Sequence, residues 1–343
     1  DVERSRGLGD VYKRQIEGSK VFSKNLMLKY NIPTAEYKVF DNPADVLAYV
    51  KEKNEFPTVI KADGLALGKG VIIPETLEEA ENGVREIMED KIFGESGNNV
   101  VVEEFLTGPE VSVLAFTDGK CVKPMVSSMD HKRALDGDKG LNTGGMGTVS
   151  PNPYYTADIA KECMEKIFLP TIDAMNKEGR TFKGCLYFGL MLTPKGPKVI
   201  EYNCRFGDPE TQVVLPRLKT DIIDIFEAIN NGTLAELDIE WADEACACVI
   251  AASGGYPKSY PKGIEITGLE NGQKDGVIVY HAGTAIKDGK LVTSGGRVLG
   301  VTALGSDLQQ ALDKAYAALG EIHFDNMHFR HDIGKKALAA LNK

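Results

Sequence analysis

The stretch Glu201-Tyr202-Asn203-Cys204-Arg205-Phe206-Gly207-Asp208-Pro209-Glu210 ends an apolar run and turns into a cluster of charged residues. Side chains of a strand alternate between two faces, so Val199, Glu201 and Asn203 are predicted to share one face. A carboxylate beside an amide suits Mg²⁺, which takes one or two protein oxygens and completes its shell with water and substrate phosphates. A lone Glu-x-Asn pair more often just ends an exposed strand, but here a Gly-Asp-Pro turn holds further charges beside it. We predict that Glu201 and Asn203 bind a metal ion.

The segments around this stretch alternate between helix and strand patterns. Apolar runs at 185–192 and 198–204 flank a Pro-Lys-Gly-Pro turn, which predicts an antiparallel hairpin. Helical spacing predicts helices at 19–30, 77–88, 157–176, 221–230 and 308–318, and apolar runs predict strands at 56–62, 71–73 and 100–105. The predicted fold class is therefore α+β. The predicted divisions are a non-native leader at 1–15, a main domain at 16–232 with a flap subdomain at about 45–106, and a C-terminal domain at 233–343.

Composition limits the classes of function. With 343 residues, 43% of them hydrophobic, the chain is long enough for about two or three packed domains. Its net charge of −10 argues against general binding to nucleic acid or to a membrane surface, so a site for an anionic substrate must gather its own cations. The six cysteines form no Cys-x-x-Cys pair, and the sequence has no run of about 18 apolar residues. We predict a cytoplasmic protein with reduced thiols.

A glycine-rich segment, Lys61-Ala62-Asp63-Gly64-Leu65-Ala66-Leu67-Gly68-Lys69-Gly70, follows an apolar run. Glycine lets a backbone approach phosphates closely, so Lys61, Gly68 and Lys69 are candidates for nucleotide binding. The segment is not a Walker loop, because its glycine-to-lysine spacing is one residue short and Gly70 stands where Ser or Thr is required. A flexible hairpin without a ligand is the alternative.

Two more segments carry candidate site residues. Glu103-Glu104-Phe105-Leu106 ends an apolar run shortly before Glu110, a pattern in which backbone groups could meet a base and an acid could meet a ribose hydroxyl. Asp130-His131-Lys132-Arg133 and Asn142-Thr143-Gly144-Gly145-Met146-Gly147 place cations beside glycine-rich backbone, which suits an anionic substrate. A solvated loop is the alternative, and a histidine such as His131 is more often a surface residue than a base.

These four segments, in this order, resemble those of the ATP-grasp ligases. From about Ser19 to its end the chain is similar to the glycinamide ribonucleotide synthetase family, the phosphoribosylamine-glycine ligases. The motifs that carry this resemblance are Lys-Ala-Asp-Gly-Leu-Ala at 61–66, His-Lys-Arg at 131–133, Asn-Thr-Gly-Gly-Met-Gly at 142–147, Glu-Tyr-Asn-Cys-Arg-Phe-Gly-Asp-Pro-Glu-Thr-Gln at 201–212, His-Ala-Gly-Thr at 281–284 and Ser-Gly-Gly-Arg-Val at 294–298. The resemblance implies an ATP-grasp fold followed by a small β-rich C-terminal domain.

The implied reaction joins glycine to 5-phosphoribosylamine through a glycyl phosphate, with ATP converted to ADP and phosphate, in purine biosynthesis. By the same resemblance Lys24 and Lys61 would contact ATP phosphates, and the loop 64–70 would be the mobile flap. Residues 103–106 would contact the adenine and Glu110 the ribose, while Glu201 and Asn203 match the ligands of Mg²⁺ or Mn²⁺. Such catalysis is mainly positioning and charge neutralisation, and we predict Arg205 and Lys132 as its catalytic residues. The other predicted substrate contacts are Asp130, Asn142, Gly144, Gly145, Asp208, Glu210 and Arg297. We expect a monomer that acts on small molecules.

Two features depart from the family pattern. Family members begin with a Rossmann-like domain, and nothing before Ser19 resembles it, so that domain is predicted to be missing. The alternative function is therefore a truncated ATP-binding fragment without turnover. The run at 186–191 offers no acidic residue, so the metal would depend on fewer protein groups. A sister ATP-grasp enzyme that uses another acid, such as a biotin-dependent carboxylase component, is a third possibility.

Overall fold

The computed structural model describes residues 14–64, 70–272 and 276–342. The helices are α1 (Gln15–Gly18), α2 (Lys20–Lys29), α3 (Pro43–Lys53), α4 (Leu77–Val84), α5 (Ala157–Cys163), α6 (Leu169–Lys177), α7 (Thr211–Val214), α8 (Ile222–Asn231), α9 (Leu269–Gly272), α10 (Leu308–Leu319) and α11 (Lys335–Leu341). The strands are β1 (Tyr37–Phe40), β2 (Thr58–Ala62), β3 (Val71–Ile72), β4 (Val100–Glu104), β5 (Glu110–Thr117), β6 (Val122–Pro124), β7 (Met129–Asp130), β8 (Arg133–Leu135), β9 (Lys139–Asn142), β10 (Gly147–Ser150), β11 (Gly184–Thr193), β12 (Gly196–Asn203), β13 (Ala245–Ala252), β14 (Val277–His281), β15 (Thr284–Lys287), β16 (Lys290–Thr293) and β17 (Arg297–Gly305). Each predicted helix and strand is confirmed, if the π-helical turns Arg85–Glu89 and Met164–Phe168 are counted with the helices that they extend.

The first sheet carries three of the candidate nucleotide-binding residues, one of which is Glu104 at the end of β4. Its antiparallel strands lie in the order β1-β4-β2-β3, with Lys61 on β2 and Glu103 on β4. Helices α3 and α4 pack against it, and Val46 and Val84 join Val102 in one buried cluster. Residues 65–69, between β2 and β3 in the sequence, lie outside the described residues, and so do the predicted contacts Gly68 and Lys69.

The second sheet has the order β12-β11-β5-β6 and is also antiparallel. The predicted β11–β12 hairpin is confirmed. Helices α5 and α6 and the π-helical turn between them pack on this sheet, where Phe168 contacts Phe188 with ring centroids 4.4 Å apart. Helix α1 begins at Gln15, inside the predicted leader, and Ile16 is buried in the same cluster.

A β-bulge in the β11–β12 hairpin changes the predicted faces of β12. The register passes from Gly189 opposite Glu201 to Leu190 opposite Val199, so Ile200 is an extra residue on β12. Val199 therefore lies in the same buried cluster as Tyr202, and the prediction that it shares a face with Glu201 is wrong. Glu201 and Asn203 both follow the bulge, and the alternation between them is intact.

The third sheet, in the order β14-β17-β13-β10-β7, joins segments from both sides of residue 232. Strand β10 pairs with β13 from Gly147 opposite Val249 to Ser150 opposite Cys246. Helix α10 packs on this sheet, with Leu312 in the cluster that contains Val249. The division at 232 stays a prediction about domains, while the hydrogen bonds of this sheet cross it. Among the described residues, no helix has the length and apolar character needed to cross a membrane.

Candidate active site

Two lysines and one glutamate form a buried lysine cluster made of Lys24, Lys61 and Glu103. Lys24 Nζ lies 3.0 Å from Glu103 Oε2, and Lys61 Nζ lies 3.0 Å from Glu103 Oε1. Lys24, Lys61 and Glu103 are only 2%, 7% and 5% exposed, so water has almost no access to this cluster. Burial lowers the pKa of Lys24 to about 8 even though the Glu103 carboxylate acts to raise it.

The buried lysine cluster is tied to the second sheet at the β-bulge. Lys61 Nζ donates to the carbonyl oxygen of the extra residue Ile200 at 3.2 Å. Lys24 Nζ donates to Thr34 Oγ1 at 2.8 Å, and that hydroxyl in turn donates to the carbonyl oxygen of Val199 at 2.8 Å. Both ammonium groups are thereby fixed next to the strand that carries Glu201 and Asn203.

Glu201 and Asn203 remain accessible at the end of β12. Opposite Glu201 stands Gly189, where an added Cβ would lie 3.0 Å from Glu201 Cγ, so the missing side chain leaves room for the carboxylate. The Glu201 side chain is 45% exposed, and Asn203 Oδ1 accepts a hydrogen bond from Arg205 Nη2 at 3.4 Å. Within the described ranges, no three His, Cys, Asp or Glu residues form a metal cluster. An accessible carboxylate and amide fit Mg²⁺, which needs few protein ligands, and their role as ligands stays a prediction.

Lys132 lies between two carboxylates of this region. Its Nζ is 3.2 Å from Glu110 Oε2 and 4.0 Å from Glu201 Oε1. The Glu110 carboxylate raises the pKa of Lys132 well above its ordinary range, so the side chain is cationic at neutral pH. We call Glu110, Lys132, Glu201 and Asn203 the open cluster.

Two predicted substrate contacts, Asp130 and Glu210, are acids close to one another. Glu210 is buried, and its Oε1 accepts hydrogen bonds from Ser112 Oγ at 3.1 Å and from Tyr187 Oη at 3.2 Å. Burial and the nearby Glu210 carboxylate raise the pKa of Asp130 well above its ordinary range. A raised pKa favours a neutral carboxyl, which can donate a hydrogen bond as well as accept one.

Arg297 brings the 201–210 turn and the 142–147 segment together. Its Nη1 donates to the carbonyl oxygens of Gly144 at 2.8 Å and of Asp208 at 3.0 Å, and its Nη2 lies 2.9 Å from Asp208 Oδ2. Gly145 has a φ of +114°, and a Cβ there would lie 2.4 Å from Pro209 Cδ, so only glycine fits. The structure thus unites Arg297, Gly144, Gly145 and Asp208, whereas Asn142 is exposed on β9 opposite Arg133.

Residues 18–211 match the phosphoribosylglycinamide synthetase ATP-grasp (A) domain, and residues 246–336 match the phosphoribosylglycinamide synthetase C domain. The chain belongs to the phosphoribosylglycinamide synthetase family. It is 51% identical to the phosphoribosylamine–glycine ligase of Caldanaerobacter subterraneus subsp. tengcongensis, over 93% of this chain and 76% of that protein. It is 46% identical to the human trifunctional purine biosynthetic protein adenosine-3, over 96% of this chain and 33% of that protein.

Solved structures agree with membership of the phosphoribosylglycinamide synthetase family. The phosphoribosylamine–glycine ligase of Thermotoga maritima superposes with a TM-score of 0.85 at 38% identity, over 94% of this chain and 80% of that one. The biotin carboxylase domain of Hydrogenobacter thermophilus 2-oxoglutarate carboxylase superposes with a TM-score of 0.68 at 16% identity, over 92% of this chain and 68% of that one, and shares the fold. The predicted family and the predicted α+β, ATP-grasp fold are confirmed.

The remaining predicted contacts of this family member lie at the rim of the site. Glu104 Oε1 pairs with Lys198 Nζ and accepts from the backbone N–H of Glu36 at 3.0 Å. Phe105 is exposed and Leu106 is half-buried. The Arg205 guanidinium donates to the carbonyl oxygen of Phe206 at 2.9 Å, and its Nε lies 3.7 Å from Glu17 Oε1.

Sequence reasoning missed Lys20, and its expectation that His131 is a surface residue is wrong. Lys20 Nζ donates to the carbonyl oxygen of Gly64 at 2.7 Å, and burial together with the Lys61 charge lowers the pKa of Lys20. Its position four residues before Lys24, on the same helical face, was the signal that could have found it.

His131 is buried, with Nδ1 3.1 Å from the carbonyl oxygen of Gly147 and Nε2 accepting from the backbone N–H of Gly334 at 3.1 Å. These partners assign a neutral ring, and burial lowers its pKa to about 4.

Proposed function

We propose that this protein catalyses the ATP-dependent ligation of glycine to 5-phosphoribosylamine, forming glycinamide ribonucleotide, ADP and phosphate, in purine biosynthesis. The observation that carries the proposal is the adjacency of the buried lysine cluster and the open cluster in a member of this family. Support also comes from the relatives named phosphoribosylamine–glycine ligase, one of them 51% identical to this chain.

The reaction requires two anions to meet. A carboxylate oxygen of glycine attacks the γ-phosphorus of ATP, the bond from that phosphorus to the β–γ bridging oxygen breaks, and ADP leaves. The amine of 5-phosphoribosylamine then attacks the carbonyl carbon of glycyl phosphate, phosphate leaves, and the amine loses a proton. Lys24, Lys61 and Lys132 supply the positive charge that lowers the repulsion between these anions, and Arg205 is the proposed partner of the glycine carboxylate or of the phosphoryl group.

Glu201 and Asn203 are the proposed ligands of Mg²⁺, which would neutralise charge on the nucleotide phosphates when bound. Support comes from the Hydrogenobacter structure, which contains MgADP and has the same fold. Mn²⁺ is a second candidate, because its preference for carboxylate and carbonyl oxygen is similar. In the proposed nucleotide site residues 103–106 contact adenine and Glu110 contacts ribose. We further propose that the protein acts as a monomer in the cytoplasm.

The test measures ADP formation by the full chain with ATP, Mg²⁺, glycine and freshly formed 5-phosphoribosylamine, beside nucleotide binding measured by calorimetry. We expect ADP formation that requires both glycine and the amine. ATP binding without ligation would instead favour a nucleotide-binding protein without turnover. Activity with bicarbonate and none with glycine would overturn the assignment of substrate.

A further inference from the structure

Two segments that lie far apart in the sequence are bound to each other beside the open cluster. We call residues 328–336 the anchor segment and residues 130–147 the substrate loop. The contacts between them are His328 Nε2 to Ala134 O at 2.7 Å, Arg330 Nη1 to Arg133 O at 3.2 Å and to Asp138 Oδ1 at 2.8 Å, His331 N to Asp136 Oδ1 at 2.8 Å, Gly137 N to Asp332 Oδ2 at 2.8 Å, and Gly334 N to His131 Nε2 at 3.1 Å. The anchor segment therefore holds the substrate loop at both neighbours of Lys132 and along the hairpin that follows.

Arg330 is at the centre of these contacts. Its side chain is 1% exposed, and besides Asp138 it binds Asp332 through Nε to Oδ1 at 2.8 Å and Nη2 to Oδ2 at 2.9 Å. Such a two-pronged pairing fixes direction as well as distance, and a lysine cannot reproduce it. Buried ion pairs contribute little net stability, because desolvation of the charges offsets their attraction. Precise placement of the loop is therefore a better account of this buried arginine than stability alone.

Lys132 is the residue whose position depends most directly on this arrangement. On one side, the His131 ring is held by Gly147 O and by the N–H of Gly334. On the other side, the carbonyl of Arg133 accepts from Arg330. The Lys132 side chain leaves the loop between these two fixed points and reaches Glu110 and Glu201.

We propose that Arg330 is a positioning residue that sets the backbone around Lys132 and thereby places its ammonium group between Glu110 and Glu201. This proposal rests on the proposed ligase function of the open cluster. Arg330 has no part in the reaction itself, because its guanidinium is enclosed by Asp138, Asp332 and the Arg133 carbonyl.

The test is a double-mutant cycle of Arg330→Lys and Lys132→Met, with kcat and KM measured for ATP and glycine. If Arg330 acts through Lys132, Arg330→Lys lowers kcat about tenfold in the wild-type background and less than about twofold when Lys132 is already Met. An equal loss in both backgrounds means general structural damage and overturns the proposal. Lys290→Met, which breaks the exposed pair with Glu265 in the β16 region, is the control and should leave kcat unchanged.

Hydrogen exchange separates this proposal from the proposed function. In Arg330→Lys we expect faster amide exchange across 131–147 and unchanged exchange across the β11–β12 hairpin. Unchanged exchange across 131–147 overturns the proposal, whatever the activity. A wild-type protein without ligation would overturn the proposed function alone, because the exchange result would still decide whether the loop is anchored. If Arg330→Lys does not fold, Asp136→Asn weakens a neighbouring contact between the anchor segment and the substrate loop, since Asp136 accepts from both the N–H and the ring of His331.

Discussion

The buried lysine cluster and the open cluster handle charge in opposite ways. Lys24 and Lys61 are almost fully buried and share one glutamate, so this glutamate balances one of their two positive charges and a net positive charge is left. Lys132, Glu110 and Glu201 have side chains 35% to 48% exposed, and the 4.0 Å separation of Lys132 from Glu201 is long for an ion pair. The buried lysine cluster is pre-organised, whereas the charged groups of the open cluster are still accessible to further ligands. A metal ion and a second anion can be such ligands.

The largest effect should come from removing the Glu201 carboxylate of the open cluster. We expect Glu201→Gln to lower kcat about a thousandfold, near 4 kcal/mol, because the neutral amide weakens metal binding beside the transferring phosphoryl group. The thermal midpoint should change little, since Glu201 is accessible and follows the bulge. Glu265→Gln, at another exposed carboxylate, is the control. Wild-type turnover of Glu201→Gln at saturating Mg²⁺ would contradict the assignment.

In the buried lysine cluster the main effect of losing a carboxylate should be on stability. Glu103→Gln leaves two buried ammonium groups without their counter-ion, for which we expect a loss of about 4 kcal/mol in urea unfolding. Glu81→Gln, which breaks the exposed pair with Lys51, should cost less than about 1 kcal/mol.

The same variant gives a pH test of Lys24. Its pKa of about 8 means that ADP affinity should fall as pH rises through that value, because the ammonium loses its charge. Glu103→Gln removes the largest influence that raises this pKa, so the fall should begin at lower pH. An unchanged pH dependence would show that Lys24 does not bind the nucleotide.

The helices and strands could be predicted from local periodicity, whereas the ATP-grasp fold and the candidate site residues came from motifs that resemble those of the family. The alternation that placed Glu201 beside Asn203 holds, since both lie on one side of the bulge. Val199 was misplaced because a bulge depends on the register with β11, which periodicity within one strand does not encode.

Two further features of the structure could not be predicted from the sequence, because they depend on contacts between distant segments. The pairing of Arg330 with Asp138 spans 192 residues, and neither residue belongs to a motif that marks the other. Lys20 was missed because its partner is a backbone carbonyl, that of Gly64, which has no side-chain signature in the sequence. Sequence patterns therefore supplied candidate site residues, whose roles stay predictions, but not the long-range contacts that position them.

The pH dependence of stability tests a buried group next to the open cluster. This group is His131, which precedes Lys132 in the sequence. Its pKa is about 4 in the folded protein and near 6.5 when unfolded, so between these values the unfolded chain binds more protons. The histidine thus contributes roughly 3 kcal/mol of stability above pH 6.5, which is lost as pH falls toward 4. His131→Asn keeps a donor and an acceptor but does not titrate in this range. Its unfolding free energy should therefore fall less between pH 6.5 and 4.5 than that of wild type, and parallel pH curves would contradict a neutral buried ring.

The smallest expected effect concerns Lys20, whose pKa is influenced by charges from both clusters. Its ammonium donates to the carbonyl oxygen of Gly64, just after β2, and the charges of Lys61 and Glu201 both influence its pKa. Removing it in Lys20→Met should weaken ATP binding about tenfold, near 1.4 kcal/mol, because Gly64 loses a charged hydrogen bond and the proposed nucleotide site loses a nearby cation. Lys29→Met, at the exposed end of the same helix where it pairs with Glu178, is the matched control and should bind ATP normally. An increase in KM for ATP with unchanged kcat would show that Lys20 acts together with the buried lysine cluster in nucleotide binding. A loss confined to kcat would assign it to the open cluster, and wild-type values of both constants would show that Lys20 serves neither.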